Sequence, residues 1–309
     1  MEGYTDFTPA ADIHSLAGRV VLVTGGTGGL GRLTVTSLAV HSPQHIFFTG
    51  RSESRAKDVV EEARTIAPDT PVTFVSMDLA SLASIKAAAN QLMQDTPRLD
   101  IVFCNAGIMA VPAATTKDGY EIQFGTNHIG HAMLIHLLLP MLQKTAKEPD
   151  ADVRVISNTS TGFKNPPSGG IEFDRLHSEQ DLGIGGRWLR YGQSKLANIL
   201  FMSELARRHP ELLCVTIHPG VIETDLVTTL SYADQALIRA SNVGKMISAE
   251  DGVKNQLFTA TRPRADLVNG EFYEPVGVVG SHSTFSKDQE LAGKLWEWTE
   301  AEIEKFLKA

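Results

Sequence analysis

The sequence predicts an α/β protein, a single domain built on a doubly wound parallel sheet with helices on both faces. Short β-branched runs alternate with longer helical patterns along the chain. Runs such as RVVLVT and DIVFCN are almost continuously apolar, which is typical of parallel strands buried on both faces. No composition break resembles an interdomain linker, so we expect one domain over residues 1–309.

The β-branched runs and the helical periodicity place the individual elements. Strands are predicted at Val20–Thr24, His45–Thr49, Val72–Ser76, Asp100–Cys104, Val153–Ser157 and Cys214–His218. Helices are predicted near Gly29–Val40, Ser54–Ile66, Leu82–Gln94, Asp118–Gln143 and Leu189–Arg208. Three segments depart from the alternation: an N-terminal extension (1–16), a Gly/Pro-rich inserted loop expected at the surface (161–187), and a substrate-loop region after the sixth strand (221–248).

Charge and composition exclude several classes of protein. The chain carries 28 Lys and Arg against 36 Asp and Glu, a net charge of −8, which argues against nucleic acid or an anionic membrane as partner. The N-terminus lacks the basic and apolar regions of a signal peptide, and the longest apolar stretch, Ala132–Leu142, is too short to cross a bilayer. We therefore expect a cytoplasmic protein that acts on a small molecule.

A metal site is not predicted. Cys104 and Cys214 form neither a disulfide framework nor a Cys/His metal pattern. His128 and His131 are one helical turn apart, with His136 further along, but no carboxylate or cysteine nearby completes a tetrahedral set. We expect these histidines to pack within a helix layer.

A glycine-rich loop, TGGTGGLG at Thr24–Gly31, joins the first predicted strand to the first predicted helix. Glycines there allow a tight turn and let a pyrophosphate approach the N–H groups of the helix N-terminus. The loop fits GxGxxG, TGxxxGxG and TGxxGxxG at once, whereas Arg32–Leu33 stands where a P-loop needs Lys and Ser or Thr. We predict a dinucleotide that contacts Gly25, Thr27, Gly28, Gly29, Leu30 and Gly31.

The end of the second strand, FFTGRS, indicates which dinucleotide binds. NAD-binding proteins place an acidic residue there for the ribose 2′-hydroxyl, but the first carboxylate in this chain is Glu53. Thr49 and Ser52 are able to donate to a 2′-phosphate, and Arg51 to pair with it bidentately. We therefore predict NADP(H) with Arg51 as its phosphate ligand; Arg32 is a second candidate.

The strongest chemical pattern is YGQSK, Tyr191 to Lys195, on an amphipathic helix. A spacing of four puts both side chains on one helical face, about 6 Å apart along the axis. A free tyrosine has a pKa of about 10, and a neighbouring ammonium stabilises its phenolate. We expect Lys195 to lower the pKa of Tyr191 toward a range useful for acid–base chemistry. Alone, the pair is also common on solvated helices, so its meaning depends on the other motifs.

These motifs occur in a characteristic order. TGGTGGLG is followed by Asp78, CNAG at Cys104–Gly107, Asn127, a Ser-rich end of the fifth strand, YGQSK and HPGVIET at His218–Thr224. Over roughly residues 17–280 this order resembles the short-chain dehydrogenase/reductase family, whose members have the Rossmann fold. The stretch YGQSKLANILFMSELARR, with RVISNTSTGF before it, looks most like the branch of retinol-dehydrogenase-like enzymes and many fungal reductases.

The resemblance implies a role for each matched residue. Tyr191 would exchange a proton with the substrate oxygen, and Lys195 would depress its pKa and bind the nicotinamide ribose. Asn127 would hold a water that links Lys195 to solvent. Cofactor contacts are implied on the adenosine side for Asp78, Leu79, Asn105, Ala106 and Gly107, and beside the nicotinamide for Pro219, Gly220, Val221 and Thr224.

The catalytic serine is less clearly specified. The fifth strand ends ISNTSTG. Matching Thr159 and Ser160 to the Ser-Ser pair of the family makes Ser160 the donor to the substrate carbonyl, and Ser157 stays open. Ser160 precedes Tyr191 by 31 residues, against about a dozen in short members, which indicates an insertion between them.

The sequence thus predicts an NADP(H)-dependent oxidoreductase that interconverts a carbonyl and an alcohol. Predicted pocket walls at 109–114, 163–187 and 222–246, with Phe163 and Trp188, favour a medium-sized, fairly hydrophobic substrate. Reduction of a C=C or C=N bond, or a non-catalytic NADP-sensing scaffold, are the alternatives. Many relatives pair through their fourth and fifth helices, so the resemblance allows a homodimer.

Overall fold

The computed structural model describes residues 6–222, 227, 232–241, 244 and 246–309. The strands are β1 Val20–Val23, β2 His45–Gly50, β3 Val72–Ser76, β4 Ile101–Cys104, β5 Arg154–Asn158, β6 Leu213–Ile217, β7 Val221–Ile222, β8 Met246–Ile247, β9 Phe272–Glu274 and β10 Val278–Val279. The helices are α1 Pro9–Asp12, α2 Gly29–Ala39, α3 Glu53–Ile66, α4 Leu82–Asp95, α5 Ile122–Phe124, α6 Gly130–Thr145, α7 Gly186–Arg208, α8 Tyr232–Ser241, α9 Ala249–Thr261 and α10 Gln289–Lys308.

Eight of these strands form one sheet, in the order β10-β9-β6-β5-β4-β1-β2-β3. Neighbours in this sheet are parallel except β9 and β10, which are antiparallel. Because β1 pairs with β2 on one side and β4 on the other, the direction of winding reverses between β1 and β4. A cleft at the carboxyl ends of the strands is the expected ligand site of such a sheet. The predicted α/β class and doubly wound topology are confirmed.

Strand β1 shows why the apolar runs are continuous. All four of its residues are buried. Val20 and Leu22 belong to the core shared with α4, α6, α7 and α10, whereas Val21 and Val23 belong to the core shared with α2, α3 and α9. Side chains alternate between the faces of a strand, so a strand covered on both sides needs apolar residues at every position.

One predicted helix begins later than expected. The helix predicted from Asp118 begins at Ile122, because Thr115 and Glu121 form a β-bridge just before it. The Glu121 carboxylate then caps α5 by accepting from the Phe124 N–H at 2.6 Å. Residues Gly125–Ile129 follow as one π-helical turn before α6.

The inserted loop lies largely at the surface, as expected, but several of its side chains enter the core. It contains 3₁₀ turns at Thr161–Lys164 and Phe173–Arg175. Phe163 and Leu176 are fully buried, and Phe163 packs edge-to-face on Phe272 of β9. Gly/Pro-rich composition correctly indicated turns, but it does not show where isolated apolar side chains between turns are placed.

The C-terminal third contains the elements that the sequence did not place: α9, β9, β10 and α10. Helix α10 packs against α7, where Trp296 stacks on Phe201 with ring centroids 4.9 Å apart. The same interface contains His128 from the π-helical turn, whose Nε2 lies 2.9 Å from the Thr299 hydroxyl. Burial, with a smaller contribution from His131, lowers the pKa of His128 to about 3.

The depressed pKa of His128 predicts a loss of stability in acid. Since the folded value is about 3 and the unfolded value 6.5, the unfolded chain binds an additional proton as the pH falls below 6.5. His128 should therefore lower the free energy of unfolding by about 2 kcal/mol between pH 7.5 and pH 5. Urea unfolding at the two pH values measures this.

The control is His128→Gln, which keeps a polar group for Thr299 but does not titrate. Its loss of stability between the two pH values should be smaller than that of the wild type by about the amount contributed by one histidine. Equal losses in the two proteins would show that His128 does not remain neutral in the fold.

Candidate active site

A cavity of about 980 Å³ lies at the carboxyl ends of β1, β2, β4, β5 and β6. The glycine loop, the ends of these strands and the first turns of α7 form its walls. The predicted site residues that line it are Gly25, Thr27, Gly28, Gly29, Leu30, Arg51, Asp78, Leu79, Asn105, Ala106, Gly107, Ser160, Tyr191, Lys195, Pro219, Gly220 and Val221. Thr224 lies outside the described residues.

The geometry of the glycine loop distinguishes among its three templates. Gly29 has a φ of +50°, a conformation that side chains rarely adopt. A Cβ atom on Gly31 would lie 2.2 Å from the carbonyl oxygen of Gly25, so only glycine fits. Gly28, in contrast, is extended with a φ of −174°. The backbone therefore requires glycine at positions 29 and 31, and TGxxxGxG is the template that has glycine at both.

The N-terminus of α2 is left open to the cavity. Its N-cap residue is Gly28, and no side chain caps the helix. The first N–H groups of a helix without a capping side chain form an anion-binding site. The loop thus has the form that a dinucleotide pyrophosphate needs.

At the end of β2 the structure changes the set of candidate phosphate ligands. Thr49 and Arg51 line the cavity, and so does Arg55, which the sequence analysis missed. Ser52 instead caps α3 by accepting from the Arg55 N–H at 3.3 Å. Arg32, the second candidate, pairs with Glu62 at 2.6 Å and is not among the cavity residues. Arg55 lies one helical turn after the strand end, a position that the motif did not cover.

The Asn105–Gly107 turn is tied to the end of β1. The N–H groups of Asn105 and Ala106 donate to the Thr24 hydroxyl at 2.9 and 3.0 Å. A Cβ atom on Gly107 would lie 3.1 Å from Asn127 Oδ1 and 3.4 Å from Lys195 Nζ. Glycine at this position therefore allows the turn, the π-helical segment and α7 to meet.

Tyr191, Ser160 and Lys195 come together around the start of α7. The Ser160 hydroxyl lies beside the Tyr191 ring: a Cβ atom on Gly162 would be 3.6 Å from Ser160 Oγ and 3.1 Å from the ring. Lys195 Nζ lies 5.8 Å from the Tyr191 ring centroid and donates to the Asn158 carbonyl at 3.1 Å. Ser157 is buried within β5, paired with Cys104 and Thr216, and is not a cavity residue. Of the two serines, the structure places Ser160 beside the tyrosine.

The pKa values of this group follow from burial. Desolvation raises the pKa of Tyr191 to about 12, although the Ser160 hydrogen bond opposes it. Desolvation likewise lowers the pKa of Lys195 to about 8. For Tyr191 this is the opposite of the expected direction, because burial excludes water from the phenolate and Ser160, not Lys195, opposes the shift. At neutral pH Tyr191 is a phenol, and therefore a proton donor.

Asn127 is held rigidly in the π-helical turn. Its Oδ1 accepts from the Ile108 N–H at 2.8 Å, and its Nδ2 donates to the Ile108 carbonyl and to the Ser194 hydroxyl, both at 2.9 Å. The side chain is fully buried. It joins the segment after the Asn105–Gly107 turn to α7.

The part of the cavity around Trp188 and the 109–114 segment is mainly apolar. Met109, Val111, Pro112, Ala114, Ile122, Trp188 and Val227 line it, which confirms the predicted wall at 109–114. Phe163, predicted as a wall residue, is instead inside the core against Phe272. The Trp188 ring lies edge-to-face on Tyr191, 6.4 Å between centroids, and its N–H donates to Asp234 of α8.

A buried ion pair that the sequence did not reveal supports these walls. Arg190 Nε lies 3.1 Å from Glu121 Oε1, and both side chains are almost completely excluded from solvent. Arg190 also donates to the carbonyl groups of Gln180 and Val111. Arg190 directly precedes Tyr191, so its guanidinium joins this part of α7 to the inserted loop and to the 109–114 wall. Arginine and glutamate 69 positions apart gave no sequence signal for this contact.

Comparisons with known proteins agree with this geometry. The short chain dehydrogenase family model matches residues 19–166. The short-chain dehydrogenase/reductase drtF of Aspergillus calidoustus is 35% identical over 308 residues, covering 95% of this chain and 96% of that protein. The chain belongs to the short-chain dehydrogenase/reductase family.

The chain is also similar to a dehydrogenase and to a reductase of known structure. Human retinol dehydrogenase 14 is 32% identical, over 93% of this chain and 86% of its own. The structure of carbonyl reductase from chicken fatty liver with NADPH bound superimposes with a TM-score of 0.64 at 26% identity, over 89% of this chain and 98% of its own. The predicted resemblance to this family is confirmed, and the chain is an oxidoreductase with a Rossmann fold.

Other classes of site find no support in the described part of the chain. No group of three or more His, Cys, Asp and Glu side chains there could hold a metal ion. His131, His128 and His136 bond instead to Thr24, Thr299 and Glu300. None of the helices described is long and apolar enough to cross a membrane.

The two serines of the β5 end give a direct prediction. Ser160→Ala should reduce turnover about a hundredfold, because the hydroxyl beside Tyr191 is lost from the cavity. Ser157→Ala is the matched control, since Ser157 is on the same strand but outside the cavity. Steady-state rates with one carbonyl substrate measure both. A larger loss in Ser157→Ala would reverse the assignment.

Proposed function

We propose that this oxidoreductase uses NADP(H) to interconvert a carbonyl and an alcohol on a medium-sized, fairly hydrophobic small molecule, with Tyr191 as the acid–base group. The observation that carries the proposal is the grouping of Ser160, Tyr191 and Lys195 at one end of a cavity whose other end has an open helix N-terminus and two arginines. Its two buried free cysteines fit a reducing compartment such as the cytoplasm.

The cofactor proposal rests on the residues of the cavity. A carboxylate for a ribose 2′-hydroxyl is missing at the end of β2, where Arg51 and Arg55 line the wall. Arginine pairs bidentately with phosphate. The NADPH-bound carbonyl reductase that superimposes on this chain supports the same cofactor type. When bound, the nicotinamide supplies or accepts a hydride.

Each proposed catalytic residue has a task that follows from its position. Ser160 orients the substrate oxygen by donating a hydrogen bond, and Tyr191, a phenol at neutral pH, donates the proton to that oxygen during reduction. Lys195 holds a positive charge beside Tyr191 and stabilises the phenolate as it forms. Asn127 serves the relay that returns a proton through Lys195. The apolar walls exclude water from the reacting atoms.

The decisive test is NADPH oxidation by the purified protein with a panel of aromatic and aliphatic aldehydes and ketones. Tyr191→Phe should lower turnover by about a hundredfold or more, because the proton donor is lost. Tyr273→Phe is the control: Tyr273 is equally buried, but its hydroxyl accepts from the Val268 N–H. Undiminished turnover in Tyr191→Phe would refute the mechanism.

The pKa of Lys195 predicts the pH dependence of reduction. Because it is about 8, the ammonium is present below pH 8 and is lost as the pH rises through that value. Turnover should fall above pH 8 as the phenolate loses its counter-charge. Lys195→Arg, which stays charged, should show no such fall in its residual activity. A wild-type profile that is flat from pH 6 to 10 would contradict this role.

The phosphate assignment predicts a change in cofactor preference. Arg51→Ala should weaken NADPH binding about tenfold to a hundredfold and leave NADH binding nearly unchanged, because only the 2′-phosphate contact is removed. Fluorescence titration with each dinucleotide measures both affinities. Arg32→Ala is the control, because Arg32 pairs with Glu62. Equal losses for NADPH and NADH would place Arg51 elsewhere in the cofactor site.

A further inference from the structure

His131 is a buried histidine near Lys195, and the proposed mechanism does not use it. It lies on the first turn of α6 and is buried. Its Nδ1 is 3.0 Å from the main-chain carbonyl oxygen of Asn127, and its Nε2 is 2.9 Å from the Thr24 hydroxyl. Both ring nitrogens therefore contact residues of the cofactor and relay regions.

The bond to Asn127 determines one end of the ring. A carbonyl oxygen only accepts hydrogen bonds, so Nδ1 must carry a proton. The side chain of Asn127 is already occupied by Ile108 and Ser194. The main-chain carbonyl of Asn127 is therefore the group that accepts the hydrogen bond from His131 of α6.

The bond to Thr24 determines the other end. The Thr24 oxygen already accepts from the N–H groups of Asn105 and Ala106, which uses both of its lone pairs. A third donor would have no acceptor site, so Nε2 must be unprotonated, and it lies 2.9 Å from the Thr24 oxygen as an acceptor for the O–H. The Phe103 carbonyl is the second acceptor for that hydroxyl, at the longer distance of 3.1 Å, and it also receives the Thr24 N–H at 2.9 Å.

We propose that His131, as the neutral Nδ1–H tautomer, is a positioning residue that couples the turn at Asn105 and Ala106 to the main chain of Asn127. The chain of bonds runs from the N–H groups of that turn through Thr24 and His131 to the Asn127 carbonyl. The dinucleotide-facing turn and the relay residue therefore move as one unit. The catalytic part of this inference rests on the proposed function; the tautomer and the coupling do not.

Electrostatics supports the neutral form. Burial, with a smaller contribution from the charge of Lys195, lowers the pKa of His131 to about 4, although the Asn127 hydrogen bond opposes the shift. The neighbouring His128 is also neutral at physiological pH. A second positive charge beside Lys195 is thereby avoided. In a free histidine the proton is mostly on Nε2, so an Nδ1–H ring is a specific expectation.

The first test observes the tautomer directly and needs no substrate. Intact protein labelled with ¹⁵N-histidine is compared with His131→Asn to assign the ring signals of His131. We expect a protonated Nδ1 and a bare Nε2 that stay unchanged from pH 7.5 to 5.5, and a shift of the Nε2 signal in Thr24→Val. A protonated Nε2, or titration near pH 6.5, would overturn the inference.

The second test separates positioning from simple packing. His131→Phe keeps the ring volume but removes both hydrogen bonds, and should lower kcat about tenfold with little change in substrate KM. His131→Asn retains a donor at the Nδ1 position and should recover most of that loss. A filler role predicts no rescue by Asn, and that result would contradict the proposal.

Cutting the chain of bonds at its other end provides an independent variant. Thr24→Val should weaken NADPH binding, since the Asn105 and Ala106 N–H groups lose their acceptor, whereas Thr24→Ser should bind normally. NADPH titration measures this even if no carbonyl is reduced. If the wild-type protein is inactive but shows the expected tautomer and the expected NADPH titrations, the proposed function is refuted and the coupling remains. If the wild-type protein is active and Thr24→Val binds NADPH as tightly as the wild type, the coupling is refuted.

Discussion

The site depends on a buried ammonium. Lys195 is buried, and its ammonium donates to a neutral acceptor, the Asn158 carbonyl. Placing a charge there is unfavourable, which is why burial lowers the pKa of Lys195. The lysine is consequently charged at neutral pH but close to its titration range. The Tyr191 phenol lies beside this group, with Lys195 Nζ 5.8 Å from its ring centroid, and partial burial screens a charge less than bulk water does.

The neighbouring backbone is built to hold that ammonium. The Asn158 carbonyl also accepts from Asn198 Nδ2 at 3.0 Å, and the Thr159 hydroxyl donates to the Lys195 carbonyl at 2.8 Å. The end of β5 and the first half of α7 are therefore joined through side chains as well as by packing. A shift of either element would displace Ser160 and Lys195 together, so the relative positions of the reacting groups are set by the central sheet.

The parts of this protein that depend on local sequence pattern were predictable from the sequence. The buried strands, the glycine loop and the Tyr191–Lys195 spacing depend on residues that are close in the chain, and these were placed correctly. The late start of the helix at Ile122 depends on a bridge between Thr115 and Glu121, which no periodicity reports. Phe163 lay in a turn-rich segment, and only the contact with Phe272 assigns it to the core. The direction in which the pKa of Tyr191 shifts depends on how completely its side chain is buried, which a spacing of four residues does not reveal.

The Arg190–Glu121 pair has a consequence for anyone who wishes to reshape this enzyme. Deleting one member would strand an uncompensated ion in a dry interior, which is far more damaging than exchanging both for apolar residues of similar size. Arg190 also binds the main-chain carbonyls of Gln180 and Val111, contacts that do not depend on the side chains at those two positions. A new outline of the pocket requires that residues 121 and 190 be varied jointly.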